Sequence, residues 1–212
     1  MERKLMNTKN VVLMGMFGAL AAVLMLFEVP LPFLAPSFYG LDFAEVPMLV
    51  GTFALGPVAG IVMQIVKILI KLILKPTSTG FVGEFANVVM SCALILPAGF
   101  IYRFKKSKTG AVAGMAVGTV LMAVVGVVMN ALVMIPFYSN FMPIETIIKA
   151  GEAVNPAVSS VWTLAIFCVG PFNLVKGTLT SVITAVIYKR ISVLIHGASH
   201  GTSGSYGVKK AV

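Results

Sequence analysis

Three polar positions stand inside long apolar runs and could bind a ligand: Asn130, Asn173 and Lys176. Asn173 and Lys176 are three apart, hence on one face of a helix. A carboxamide offers a donor and an acceptor side by side, which suits the edge of a flat heteroaromatic ring that carries both. A lysine within lipid-facing sequence costs roughly 2.5–3.5 kcal/mol on insertion scales, so it reads as functional by default. Asp42 with Glu45, Glu84 with Asn87, and Lys67 with Lys71 repeat the helical spacing. Phe38, Tyr39 or Trp162 could stack on a bound ring. A plainer reading has the two asparagines joining helices and Lys176 paired with a carboxylate. Spacing alone does not separate the two. For Lys67 and Lys71 the plain reading is snorkelling toward the interface or pairing with Glu84.

Catalytic constellations are missing from the sequence. It has no Ser/His/Asp set, no H-E-x-x-H and no P-loop, so neither hydrolysis nor nucleotide cleavage is expected of this chain, and no enzymatic activity. His196 and His200 form an H-x3-H pair in a Gly/Ser-rich tail without carboxylates, which gives no rigid metal site. Cys92 and Cys168 fall in apolar runs and read as small buried hydrophobes.

The elements that position these groups are membrane helices. Of the 212 residues 58% are hydrophobic and 11% charged, against ~25% charged in a soluble domain. The length suits one bundle. A net charge of +9 invites a nucleic-acid reading, but the basic residues lie between the apolar runs, where topology signals sit. Spans are expected at 11–27, 46–55, 57–74, 81–102, 111–135 and 171–187. Gly56-Pro57 divides the apolar stretch 46–74, because one helix of that length would be ~44 Å long, too long for a ~30 Å core. The segment 157–169 reads as partly inserted or at the surface, ended by Gly170-Pro171. The fold class expected is an all-α integral membrane protein, a six-transmembrane-helix bundle over 1–191 with a flexible cytoplasmic tail at 192–212.

Charge orients the bundle. Arg3, Lys4, Lys9, the Arg103–Lys108 loop and the basic residues after 187 fall on one side, against only Lys75 and Lys149 on the other. Both termini are therefore expected to be cytoplasmic. This places Asn130, Asn173, Lys176, Glu84, Asn87, Asp42 and Glu45 around a cavity that faces outward, roofed by the proline- and aromatic-rich loop 31–41. On the first span, Gly15 with Ala19 and Gly18 with Ala22 form small-xxx-small pairs that let another helix approach closely. They fit packing within the bundle or docking to a partner subunit.

The motifs LDFAEVP (41–47), LGPVAG (55–60), GEFAN (83–87), Met129-Asn130 and PFNLVKG (171–177) together resemble the substrate-binding S components of energy-coupling factor (ECF) vitamin transporters, within them the riboflavin-specific group, over about 10–191. The resemblance implies six helices with riboflavin bound near the outer face under the first loop, as transported ligand rather than cofactor. It implies contacts from Gly40, Leu41, Asp42, Asn130, Asn173 and Lys176. It also implies a transmembrane coupling subunit and two cytoplasmic ATPases as partners, in a bacterial plasma membrane. Where the family has Ala-x-x-x-Ala on the first helix, the matching positions here are Gly15/Ala19 or Gly18/Ala22. FMN stays open as a second ligand. A self-sufficient proton-coupled transporter, using Glu84 or Lys176, is the alternative of a different class, and an S component for another small vitamin is a further one. The Gly-Pro pairs at 56–57 and 170–171 lie in surroundings that do not align, so no inverted repeat supports the secondary-transporter reading.

Overall fold

The structure, a computed structural model, describes residues 7–77 and 79–200, the last helix beyond Tyr188 by its backbone alone. Arg3, Lys4 and residues 201–212 of the expected tail lie outside the described residues, as do the side chains of His196 and His200.

Helix α1 spans Thr8–Met25. A two-residue antiparallel ladder follows, β1 (Val29–Pro30) with β2 (Gly40–Leu41), which closes the loop between them. Next come α2 (Glu45–Leu55) and α3 (Pro57–Leu74). Gly56 separates them at φ 99, a backbone conformation that strains a residue with Cβ, and Pro57 opens α3 where its missing N–H costs nothing. The division expected at Gly56-Pro57 is therefore present. Helix α4 is Val82–Phe104 and α5 is Lys108–Tyr138. The Ser107 side chain caps α5 by accepting from the Gly110 N–H. A short amphipathic helix, α6 (Ile144–Glu152), precedes α7, which is continuous over 161–200.

The molecule is mostly helical, and among the described residues five helices are long and apolar enough to cross a membrane: α1, α3, α4, α5 and α7. The sixth expected span is α2, which has only 11 residues. At 1.5 Å per residue it covers ~16 Å, about half of a ~30 Å core. Its residues from Glu45 to Phe53 are all buried. It is the central helix, packed by α1, α3, α4 and α7. Around it α1 packs on α3, α3 on α4, α4 on α5 and α5 on α7.

Two prolines expected to mark helix ends do not. The fifth span runs past Ile135 through Pro136 to Tyr138, and the sixth begins at Val161 and passes through Gly170-Pro171. Each proline follows a five-residue π turn, Asn130–Met134 and Ala165–Val169. In each, the residue before the proline donates five back, Ile135 to the Asn130 carbonyl and Gly170 to the Ala165 carbonyl. The wider turn gives the proline ring room that a regular α-helix lacks.

The core has two apolar clusters. One holds Met48, Leu49, Met63, Leu94, Met115 and Tyr188 through the bundle. The other, at the loop end, gathers Ala35, Leu41, Ile135, Ile147, Leu164 and Phe172.

Candidate functional site

The loop between β1 and β2 covers the end of the bundle, with Phe33 and Phe38 exposed and Ala35 and Pro36 buried beneath them. Its Leu31 carbonyl accepts from the Leu34 and Ala35 N–H groups, and Ala35 is fully buried. Gly40 is required on β2, since an added Cβ would fall 2.6 Å from Glu28 Oε2. Leu41 points into the apolar cluster at the loop end.

Tyr39 links the loop to the helices. Its hydroxyl donates to Asn130 Oδ1 at 2.8 Å, and its ring lies 5.9 Å from that of Phe172. Burial pushes its phenol pKa up, so it stays a donor. Of the candidate stacking residues only Tyr39 faces inward; Phe38 and Trp162 are exposed on the outside. Where the outward cavity is expected, Tyr39, Leu41, Ile135 and Phe172 pack in one cluster.

The two asparagines meet at one glycine. Asn130 Nδ2 donates to the Gly126 carbonyl at 2.8 Å, while Asn173 Nδ2 donates to the Val169 carbonyl at 3.0 Å. A Cβ on Gly126 would lie 2.6 Å from Asn173 Nδ2, so the Asn173 amide rests on the bare backbone of α5. Both amides belong to the π-turn regions, where helix irregularities often accompany function. Gly126 was not singled out from sequence, although it stands four before Asn130 and so on the same face.

Lys176 is paired. Its Nζ donates to Asp42 Oδ2 at 2.7 Å, with both side chains buried, and Asp42 Oδ1 accepts from the Ala44 N–H at 2.9 Å. Burial pushes the Asp42 carboxyl up, but the Lys176 ammonium, helped by Lys67 and the Ala44 N–H, outweighs burial and holds it below the usual carboxylate range. Of the two readings of Lys176, the structure shows the carboxylate contact.

Beneath this pair runs a polar seam. Lys67 Nζ donates to Glu45 Oε1 at 3.0 Å and to Ser91 Oγ at 3.3 Å, with Lys67 and Glu45 0% and 1% exposed. Gln64 Nε2 donates to Asn87 Oδ1 at 3.2 Å. Nearer the α3–α4 turn, Lys71 meets Glu84 at 2.5 Å, and Thr77 and Thr79 hydroxyls donate to its other oxygen. The Lys71–Glu84 pair matches the spacing argument. Lys67 does not snorkel or reach Glu84; Glu45, at the head of the short α2, lies level with it inside the bundle. No group of metal-ligating side chains occurs among the described residues. Cys168 is a free, buried thiol and Cys92 a half-buried one.

The small residues of α1 divide. Gly18 and Ala22 are buried in the chain's own bundle, and a Cβ on Gly18 would fall 2.7 Å from Val66 of α3. They are not available to a partner, which corrects that half of the expectation. Gly15 has open space around its Cβ position, and Ala19 is half-buried beside the exposed Met16 and Leu20.

Residues 9–188 match the family model for the substrate-specific component of ECF transporters. The chain is 30% identical over 186 residues to the riboflavin transporter RibU of Staphylococcus aureus, covering 88% of this chain and 92% of that one. It is 28% identical over 189 residues to the riboflavin transporter FmnP of Bacillus subtilis, covering 88% and 93%. A solved structure described as that of the S component of a bacterial ECF transporter superposes with a TM-score of 0.69 at 30% identity, covering 88% of this chain and 97% of the other.

Proposed function

The chain belongs to the substrate-specific components of ECF transporters, and on that premise we propose that it is the riboflavin-binding subunit of an ATP-driven uptake system. The observation that carries the site is the meeting of Asn130 and Asn173 at Gly126, capped by the Tyr39 hydroxyl. Tyr39 gives Asn130 a polar edge on an aromatic ring, the same chemistry as the edge of an isoalloxazine. Riboflavin would displace Tyr39 as the 31–41 loop lifts, stack in the space between Leu41 and Phe172, and hydrogen-bond both amides. The Asp42–Lys176 pair would order the loop end, with the Gly40 and Leu41 backbone against the ligand. A ligand held this way is carried unchanged, as befits a transporter rather than an enzyme.

In this reading residues 1–191 form the membrane domain, with α2 as the sixth helix and both termini cytoplasmic in a bacterial plasma membrane. The partners are a transmembrane coupling subunit, met by Gly15 and Ala19 on the exposed face of α1, and two cytoplasmic ATPases. FMN shares the ring and is a candidate second ligand.

Titration of the purified protein with riboflavin, followed by quenching of flavin fluorescence, tests the reading. Asn130→Ala and Asn173→Ala are each expected to weaken binding by at least ~1 kcal/mol, the cost of leaving a polar partner unmet. Unchanged affinity in both variants would move the site elsewhere. Parallel titration with FMN decides the second ligand. Uptake into liposomes driven by a pH gradient without any partner would replace the ECF mechanism by secondary transport.

A further inference from the structure

We propose that the groove between α5 and α7, at the end of the bundle bearing the α4–α5 turn, holds one acyl chain of an anionic phospholipid whose headgroup sits at Lys108. The groove exists because α5 is drawn toward α4. An added Cβ on Gly114 would fall 2.9 Å from the Ala98 carbonyl oxygen, and one on Gly118 would strike the Leu94 carbonyl. Contact between α5 and α7 is close only further along, where Gly126 meets Asn173 and Gly177 meets Thr119. At that crossing Ser181 reaches Thr119, 3.3 Å between their hydroxyls, and past it the facing Ala111, Ala116 and Ala185 are too short to fill the gap.

What remains is a cleft of about 810 Å³ between Lys108 and Tyr188. It continues into a second of about 360 Å³ that shares Val112, Met115, Val182 and Ala185 and reaches Val120. From Lys108 to Val120 the groove runs ~18 Å along α5 at 1.5 Å per residue. That is close to one leaflet, half of a ~30 Å hydrocarbon core. Its lining is largely aliphatic, and its length fits an acyl chain whose headgroup lies at the level of Lys108.

Charge selects the headgroup. Lys108 lines the mouth, Lys105 and Lys106 stand in the α4–α5 turn just before it, and all three are exposed and form no ion pair among the described residues. The described acids, Glu28, Asp42, Glu45, Glu84, Glu145 and Glu152, belong to the loop, to α6 or to the opposite ends of α2 and α4. Basic residues beside a groove between membrane helices are the expected recognition element for an anionic headgroup. Helix α1 packs on α2 and α3, so lipid in this groove leaves the α1 face free. The inference does not depend on the identity of the transported ligand.

Native mass spectrometry of the delipidated protein, with phosphatidylglycerol or phosphatidylcholine of equal chain length added, tests it. Phosphatidylglycerol adducts are expected to exceed phosphatidylcholine adducts at least about fivefold, the ratio that a single lysine near an anionic surface would provide. Joint replacement of Lys105, Lys106 and Lys108 by Ala should abolish that preference. Ala185→Phe, or the smaller Ala185→Ile if the first does not fold, should reduce retention of both lipids. Thermal melting by circular dichroism reports folding of each variant. Equal adducts of the two lipids on the unaltered protein, or adducts unchanged in either folded variant, would overturn the proposal.

Discussion

Replacing Lys176 by Met would remove the only cation among the described residues in contact with Asp42 while keeping the length of the side chain. The carboxylate would remain buried with one hydrogen bond, from Ala44, and the more distant field of Lys67. Breaking a buried pair from one side typically costs 3–5 kcal/mol. The surviving hydrogen bond and the Lys67 field put this case near the lower end, about 3 kcal/mol. Removing both charges, as in Asp42→Asn with Lys176→Met, leaves no orphaned ion and should cost only ~1 kcal/mol. The Asp42 carboxyl sets the sign with pH. In the unaltered protein the Asp42 carboxyl is held below its usual value, so the pair contributes stability above about pH 4 and loses it as pH falls through the folded value. In Lys176→Met burial is opposed only by Lys67 and Ala44, so the folded value rises. That variant is then penalised as pH climbs through the raised value. The gap between the two proteins should therefore widen as pH rises through that raised value and narrow as pH falls below it. Thermal and denaturant unfolding of the ligand-free protein in detergent measure it. A single-variant cost below ~1 kcal/mol, or a double variant as costly as the sum of the singles, would refute the coupled-pair argument.

The same geometry fixes the outcome of six other substitutions. Lys67→Met strands Glu45 with only the Ser91 hydroxyl and should destabilise by roughly 3–5 kcal/mol in the same unfolding assay, whereas Lys75→Met, which breaks an exposed pair with Glu28, should cost under ~1 kcal/mol. Gly126→Ala puts a methyl against the Asn173 amide and should weaken riboflavin binding at least as much as Asn173→Ala does, by ~1 kcal/mol or more on fluorescence titration. Tyr39→Phe removes the hydroxyl that occupies Asn130 in the ligand-free state and should leave affinity unchanged or tighter; a loss of more than about tenfold would make Tyr39 a ligand contact instead. Gly15→Leu should impair cellular uptake with flavin binding intact, while Gly18→Leu should lower stability by ~1–3 kcal/mol through collision with Val66.

Much of the site was legible because its residues are locally anomalous. An amide or ammonium inside an apolar run is visible in one dimension, and so Asn130, Asn173 and Lys176 stand out from the sequence, whereas Asp42 enters as a ligand contact only through the family resemblance. Lys71 and Glu84 flank a short turn, so their pairing follows from proximity along the chain. Lys67 and Glu45 are 22 residues apart, and their meeting depends on how far α2 is sunk into the bundle. Nothing in the apolar count of 46–55 shows that this helix is central rather than lipid-facing. Gly126 passed as one of several glycines in α5 because its purpose lies in the side chain of another helix.

Composition, charge placement and the length of the apolar runs, with the break at Gly56-Pro57, determined by themselves that this is a membrane helix bundle and where most of its helices begin. Those are properties of each segment against solvent and lipid, so local sequence carries them. Tertiary structure alone decided that Pro136 and Pro171 lie within continuous helices, since a π turn must absorb each ring and neighbouring helices must hold that turn. It also decided that Gly18 and Ala22 face α3 while Gly15 stays open, because a small-residue stripe has no direction until the helix is rotated against a neighbour. The closure of the site by Tyr39 is of the same kind: a hydroxyl 91 residues from its acceptor finds it only when the loop folds into the bundle.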